Sequence, residues 1–208
     1  MSARILTGGD EAATRGLVLI HGRGDSAQGI AGLVPVLGAA ERRIAAPEAP
    51  GNSWWPTSFL APMAEMEPWV ARGLDAVDAA IAATGLPKEA VALAGFSQGA
   101  CLALEYAARR GQGLPAVIAF SGGLVGSADA EGEVYGFAEK ALDYAGDLTG
   151  THILVTCHER DPHIPLSRAE KSVAALRGLG AEARLIAHPG PGHQPMPDGI
   201  KAARAVLA

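Results

Sequence analysis

The sequence predicts an α/β fold built on an open, mostly parallel sheet with helices on both faces. Two observations carry this. Short apolar runs of strand length recur along the chain, separated by longer stretches whose apolar residues repeat at helical spacing. These short runs are also nearly continuous in apolar residues rather than alternating with polar ones, as expected of strands covered by helices on both sides. The 208 residues are enough for one sizeable core, so a single domain over 1–208 is expected.

The elements follow in order. GLVLIHG (16–22) and RRIAAP (42–47) read as the first two strands. APEAPGNSWWPTSFLAP (46–62) is too rich in proline and aromatic residues for a regular element. Trp69, Val70, Leu74, Val77 and Ile81 then mark one face of a helix. AVALAGF (90–96) is a third strand, and it runs without a spacer into the apolar helix that follows Ser97. PAVIAFSG (115–122) is a fourth strand. The stretch 126–150 is a long irregular crossover with one short helix, of the kind that is often functional. HILVTC (152–157) is a fifth strand. The next helix carries Val173, Leu176 and Leu179, with Ser167 as its cap, Glu170 reaching back, and Gly178 and Gly180 suited to its end. ARLIAHPG (183–190) is the last strand.

Composition narrows the function. Apolar residues make up 49 % and charged residues 19 %, the balance of a soluble globular protein. The net charge of −5, with no basic block, argues against nucleic acid or an anionic membrane surface as partner. No apolar run approaches the roughly 20 residues of a membrane span, so stable membrane insertion is not expected. The N-terminal MSARILTGGDEAAT has no apolar segment of signal-peptide length. Cys101 and Cys157 lie inside apolar runs and read as buried free thiols. A reducing cytoplasm is the expected compartment. The oligomeric state is left open, a homodimer included.

The chemistry concentrates at Gly95-Phe96-Ser97-Gln98-Gly99. A G-x-S-x-G string between a strand and a helix is the setting of a nucleophile elbow, a strained turn that projects a serine hydroxyl from the sheet. Small flanking residues let strand and helix approach there, and the helix N-terminus favours a developing anion. A phosphate cradle fits less well, since neither G-x-x-x-x-G-K-[ST] nor a strand-linked G-x-G-x-x-G occurs. A tight turn with an inert serine is the plain alternative.

A nucleophilic serine needs a base, and the base needs an orienting acid. Asp161 falls in the loop after HILVTC, and His193 in the loop after ARLIAHPG. Serine, acid and histidine thus follow in the order expected on such a sheet, each beyond a strand's carboxyl end. His188 and His163 rival His193, while Asp143 and Asp147 rival Asp161 but do not directly follow a strand. His158 and His163 flank Asp161, and Asp198 is out of order. His21 reads as a locally bonded packing residue.

In LIHGRGDSAQG (19–29), the HG-type loop after an early strand is expected to supply one backbone N–H to an oxyanion hole, at Arg23. The residue after the candidate nucleophile, Gln98, is expected to supply another. Neither side chain is needed for that role. Asp25 reads as an acceptor for local N–H groups. His158, Glu159, Asp161 and His163 crowd one loop, but no zinc-type spacing occurs, and neither metal nor cofactor is expected. Trp54 and Trp55 are candidates to line an acyl pocket, or packing residues.

The chain resembles the phospholipase/carboxylesterase family of α/β-hydrolases, which includes acyl-protein thioesterases, lysophospholipases and small bacterial carboxylesterases. The matching stretches are LIHGRGDSA, APGNSWWPTSF, GLPKEAVALAGFSQGACLALEYA, AFSGGL, RDPHIPLSRAE and HPGPGH, running from about residue 16 to 195. The resemblance implies an α/β-hydrolase fold, Ser97 as nucleophile, His193 as base, Asp161 as its orienter, and Arg23 and Gln98 as oxyanion donors. The loop GNSWWPTSF looks more like that of the bacterial esterases, which implies a small-molecule ester as substrate. Bulky Trp54 and Trp55 beside stiff Pro56, together with the acidic crossover, point to short- and medium-chain acyl groups. Lysophospholipase or acyl-protein thioesterase activity on long chains is the alternative, and a catalytically silent binding protein of the same fold is a third reading.

Overall fold

The computed structural model describes residues 4–208. The chain begins with β1 (Arg4–Gly9) and β2 (Gly16–Ile20), followed by two single-turn helices, α1 (Ala27–Ile30) and α2 (Leu33–Val36). Next come β3 (Arg43–Glu48), the long α3 (Met63–Ala83), β4 (Val91–Phe96), α4 (Gln98–Arg110) and β5 (Ala116–Phe120). A hairpin, β6 (Ala128–Val134) and β7 (Phe137–Ala141), precedes β8 (His152–Arg160), α5 (Leu166–Gly178), β9 (Glu182–Pro191) and α6 (Pro197–Leu207). Seven strands form one sheet in the order β1-β3-β2-β4-β5-β8-β9. All neighbours are parallel except β1, which runs antiparallel to β3.

The continuous apolar strands of the sequence acquire their reason here. Val18 and Ile20 of β2 join Leu93 of β4 in the core beneath α3, α4 and α5. Leu17 and Leu19 turn instead to the opposite layer, with Ile30 of α1 and Leu207 of α6. Alternate side chains of a strand face opposite ways, so a sheet covered on both sides needs apolar residues at every position. Among the described residues, no helix is long and apolar enough to cross a membrane. Both cysteines are buried and free.

Three local expectations change. β1 adds an edge strand that the sequence does not announce, because Ile5 and Leu6 are its only sizeable apolar residues and most of it is exposed. The helix expected to be capped by Ser167 starts two residues earlier than that cap implies, at Leu166. Pro165, with φ −58°, occupies the cap position, and its carbonyl accepts from the N–H groups of Arg168 and Ala169. Ser167 therefore lies inside the first turn and makes no cap. At the other end, Gly180 adopts φ +93° and its N–H donates to the Arg177 carbonyl, as the glycine pattern requires.

The crossover 126–150 holds no helix. It folds back as the β6–β7 hairpin, turning at Tyr135 and Gly136, both with positive φ. Two of its acidic residues, Asp129 and Glu139, are fastening points. Buried Lys140 binds Asp129 and the Ala61 carbonyl, the latter at 2.7 Å. Glu139 accepts from Arg168 at 3.0 Å and from Lys171 at 2.6 Å. Hydrophobic periodicity cannot register a strand pair held down by charges.

Candidate active site

β2, β4, β8 and β9 all deliver their carboxyl ends to one side of the sheet, and the candidate residues sit in the loops just beyond them. Ser97 follows β4 with φ +54° and ψ −119°, a conformation that L-residues avoid. The flanking glycines make the turn possible. A methyl group on Gly95 would lie 2.3 Å from the Gly99 carbonyl oxygen, and one on Gly99 would lie 2.1 Å from that of Ile20. Strand, serine and helix can be this close only because neither glycine carries a side chain.

His193 lies between Ser97 and Asp161. Its Nε2 is 2.8 Å from Ser97 Oγ, and its Nδ1 is 2.8 and 2.9 Å from the two Asp161 oxygens. An ionised carboxylate only accepts, so the ring carries its proton on Nδ1 and leaves Nε2 to accept from the serine hydroxyl. Burial pushes the Asp161 carboxyl up, but His193 and the backbone N–H groups of His163 and Ile164 outweigh it and hold the group below the ordinary carboxylate value. The His193 ring also touches Phe96, with centroids 5.2 Å apart, and His163, edge-on at 4.7 Å. Such an arrangement can draw the Ser97 proton onto an imidazole and steady the resulting cation.

The rivals take other places. His188 is buried against His158 and pairs with Asp198 at 3.4 Å. The Nε2–H of His158 donates to the Gln194 carbonyl at 3.3 Å, which secures the loop that carries His193. His163 stands exposed at the rim of the site. Asp143 accepts from Ser127, and Asp147 accepts from the Thr149 N–H, both on the surface. His21 is fully buried, bonded to the Gly22 carbonyl at 2.7 Å and to the Ala49 N–H at 3.0 Å. Asp25 accepts from the Ser26 N–H at 2.8 Å. Among the described residues, no group of three or more side chains is placed to hold a metal ion.

A cavity of about 520 Å³ opens beside Ser97. Gly22, Arg23 and Gln98 line it, and among the described residues no protein acceptor takes the backbone N–H of Arg23 or Gln98. Trp55, Phe59, Phe96, Cys101 and Ile164 supply its apolar side; Asp25, Ser58 and His163 add polar groups. Trp54 does not line it. That ring is buried against His21 and donates from Nε1 to the His21 carbonyl at 2.9 Å. No residue of 126–150 lines the cavity either, so the acidic crossover takes no part in its walls.

Phe59, Phe96, Cys101 and Ile164 are absent from the sequence-based candidates. Cys101 had a signal: four residues after Ser97 on a helix, it must face the same end. Burial pushes its thiol up to about 12, which keeps it protonated and no competitor for Ser97.

A family model described as Phospholipase/Carboxylesterase matches residues 2–208. The crystal structure of a phospholipase/carboxylesterase from Dyadobacter fermentans is 36 % identical, covers 100 % of this chain and 97 % of its own, and superposes with a TM-score of 0.87. Esterase PE8 is 29 % identical over 99 % of this chain and 97 % of its own, with a TM-score of 0.75. A Bacillus cereus carboxylesterase shares the fold at 13 % identity, with 98 % and 92 % coverage and a TM-score of 0.73. No curated protein matches the chain.

Proposed function

Because the chain belongs to the phospholipase/carboxylesterase family of α/β-hydrolases, we propose that it is a serine carboxylesterase acting on short- and medium-chain esters through an acyl-enzyme. The observation that carries this reading is the placement of His193 within 2.8 Å of both Ser97 and Asp161. In the proposed reaction Ser97 Oγ attacks the ester carbonyl while its proton passes to His193 Nε2. The imidazolium gains support from the Asp161 carboxylate and returns the proton to the leaving alcohol. Water then enters the vacated position and attacks the acyl carbon as it gives a proton to the same nitrogen; the bond to Ser97 Oγ breaks, the proton returns to that oxygen, and the acid leaves.

The backbone N–H groups of Arg23 and Gln98 are the proposed donors to the tetrahedral oxyanion. Their freedom from protein acceptors beside Ser97 supports that role. The strained backbone at Ser97 supports it too, since such strain persists where geometry serves the reaction. Trp55 and Phe59 close the apolar side, which favours acyl groups of roughly two to eight carbons. The two buried free thiols support a reducing cytoplasm as the compartment.

The test combines a fluorophosphonate probe with a p-nitrophenyl ester series from acetate to palmitate, run below micelle-forming concentrations. Labelling at Ser97 and a maximum of kcat/KM at short or medium length are expected. Failure to label would favour a silent binding protein. Specificity that climbs to the longest soluble chain would revive the lysophospholipase or acyl-protein thioesterase reading.

A further inference from the structure

Arg23 and Gln98 come from two different segments, one after β2 and the other at the start of α4, and their side chains converge on one loop. Gln98 Oε1 accepts from the Trp54 N–H at 2.7 Å and lies 3.3 Å from the Ser53 hydroxyl oxygen. Its Nε2 donates to the Trp55 carbonyl at 2.8 Å. The Arg23 guanidinium donates to the Pro56 carbonyl at 3.1 Å and to the Thr57 carbonyl. Three consecutive carbonyls, 55 to 57, are thus taken up by these two side chains, with help from Ser53 Oγ at Trp55.

This loop leads into the apolar side of the cavity, which Trp55 backs and Phe59 lines. Its earlier part is secured separately. The Gly24 N–H donates to the Asn52 carbonyl at 2.7 Å, Asn52 Nδ2 to the Asp25 carbonyl at 2.7 Å, and Trp54 Nε1 to the His21 carbonyl. Beyond Trp54, Gln98 and Arg23 hold the backbone, with Ser53 Oγ sharing the Trp55 carbonyl at 2.7 Å. Gln98 is buried, so each of its polar atoms must find a partner within the protein, and the loop provides them.

We infer that the side chains of Gln98 and Arg23 are specificity-determining positioning residues. By holding carbonyls 55 to 57 they fix the acyl-side wall relative to the same residues' backbone N–H groups. This deepens the esterase reading and rests on it. Wall and oxyanion donors then move as one unit, and the tolerated acyl length is set by these polar contacts as well as by the bulk of Trp55. A side chain with no hydrogen-bonding end leaves the donor N–H in place but releases the wall.

The experiment uses Gln98→Met, Gln98→Glu, Arg23→Met and Arg23→Lys in the full chain. Two readings are taken: kcat and KM from acetate to octanoate, and the backbone amide exchange rate of Trp54. In Gln98→Met and Arg23→Met, the octanoate-to-butyrate ratio of kcat/KM should rise about tenfold as the released wall admits more methylenes, mainly through KM for the longer ester. Arg23→Lys, which keeps one donor, should restore part of the wild-type ratio. Trp54 exchange should quicken in Gln98→Met and stay slow in Gln98→Glu, whose carboxylate still accepts from that N–H. Ratios within twofold of wild type in both Met variants would overturn the inference, as would unchanged Trp54 exchange in Gln98→Met. Exchange is read without turnover, and loss of fluorophosphonate labelling in the wild type would count against the esterase reading alone.

Discussion

Gly99 at the start of α4 stands so close to Ile20 at the end of β2 that a methyl group on Gly99 would lie 2.1 Å from the Ile20 carbonyl oxygen. That contact is backbone on both sides, so no side chain can swing away to relieve it. Gly99→Ala must push α4 off the sheet. A loss of about 3 kcal/mol or more is expected, with a still larger loss of esterase activity. Gly178→Ala is the control. Nothing lies within 4 Å of its added methyl, and it closes α5 without positive φ, so a gain of about 0.5–1 kcal/mol is expected. Urea unfolding of the two variants checks the contrast.

In the proposed mechanism Ser97 and His193 act as a unit. Ser97→Ala and His193→Ala should each lower kcat by roughly 10⁴-fold or more, and the double variant should lose little beyond either. Asp161→Asn should fall by a similar ~10⁴-fold, because an amide can donate to Nδ1 and turn the ring to the wrong tautomer. Steady-state turnover at high enzyme concentration measures all four. Multiplicative losses in the double variant would break the shared mechanism.

Trp54 and Trp55 should separate cleanly. Both are buried, and truncating either to Leu should cost about 2 kcal/mol or more. Only Trp55 backs the cavity, so only Trp55→Leu should lengthen the preferred acyl chain. The same p-nitrophenyl series, scaled to the concentration of labelled serine, distinguishes them. A shift with Trp54→Leu would move the pocket wall to the other ring.

His188 should make stability pH-dependent. Burial pushes its pKa down; Asp198 opposes this and His158 adds to it. Among the described residues its Nε2 has no partner, so a proton gained there would find no acceptor. The ring therefore stays neutral to lower pH in the folded protein than in the unfolded chain, where it titrates near the ordinary value of about 6.5. Its contribution is complete above that pH. Below it the unfolded chain takes up a proton first, and stability is lost as pH falls towards the folded pKa. His188→Gln should flatten the slope of unfolding free energy between about pH 7 and 5, read from urea titrations at each pH. An unchanged slope would assign the effect to other groups.

Much of this was legible in the sequence because burial dictates composition. Strands such as GLVLI and AVIAF are apolar at every position since both faces are covered, and that pattern survives without coordinates. G-F-S-Q-G was legible because a strand-to-helix turn this tight tolerates glycine alone at two positions. The illegible parts are those whose stability is not apolar. The β6–β7 hairpin is fastened by Lys140, Asp129, Glu139 and Arg168, which as letters read like a solvated surface. The cavity-side placement of Trp55 and the inward turn of Trp54 differ by one position in an irregular loop, where no period assigns a face. The grip of Gln98 on residues 53–55 spans more than forty positions and leaves no local mark.

His193 hangs from β9, which pairs only with β8 at one margin of the sheet, whereas Ser97 follows β4 in the interior. The two therefore have unequal tenure. The histidine's support is one-sided, so a margin that opens before the interior on heating would withdraw the imidazole ahead of the serine turn. Turnover and far-UV circular dichroism followed together through the thermal transition check this: activity lost before the helical signal is the expected outcome, and coincident loss would tie both residues to global unfolding.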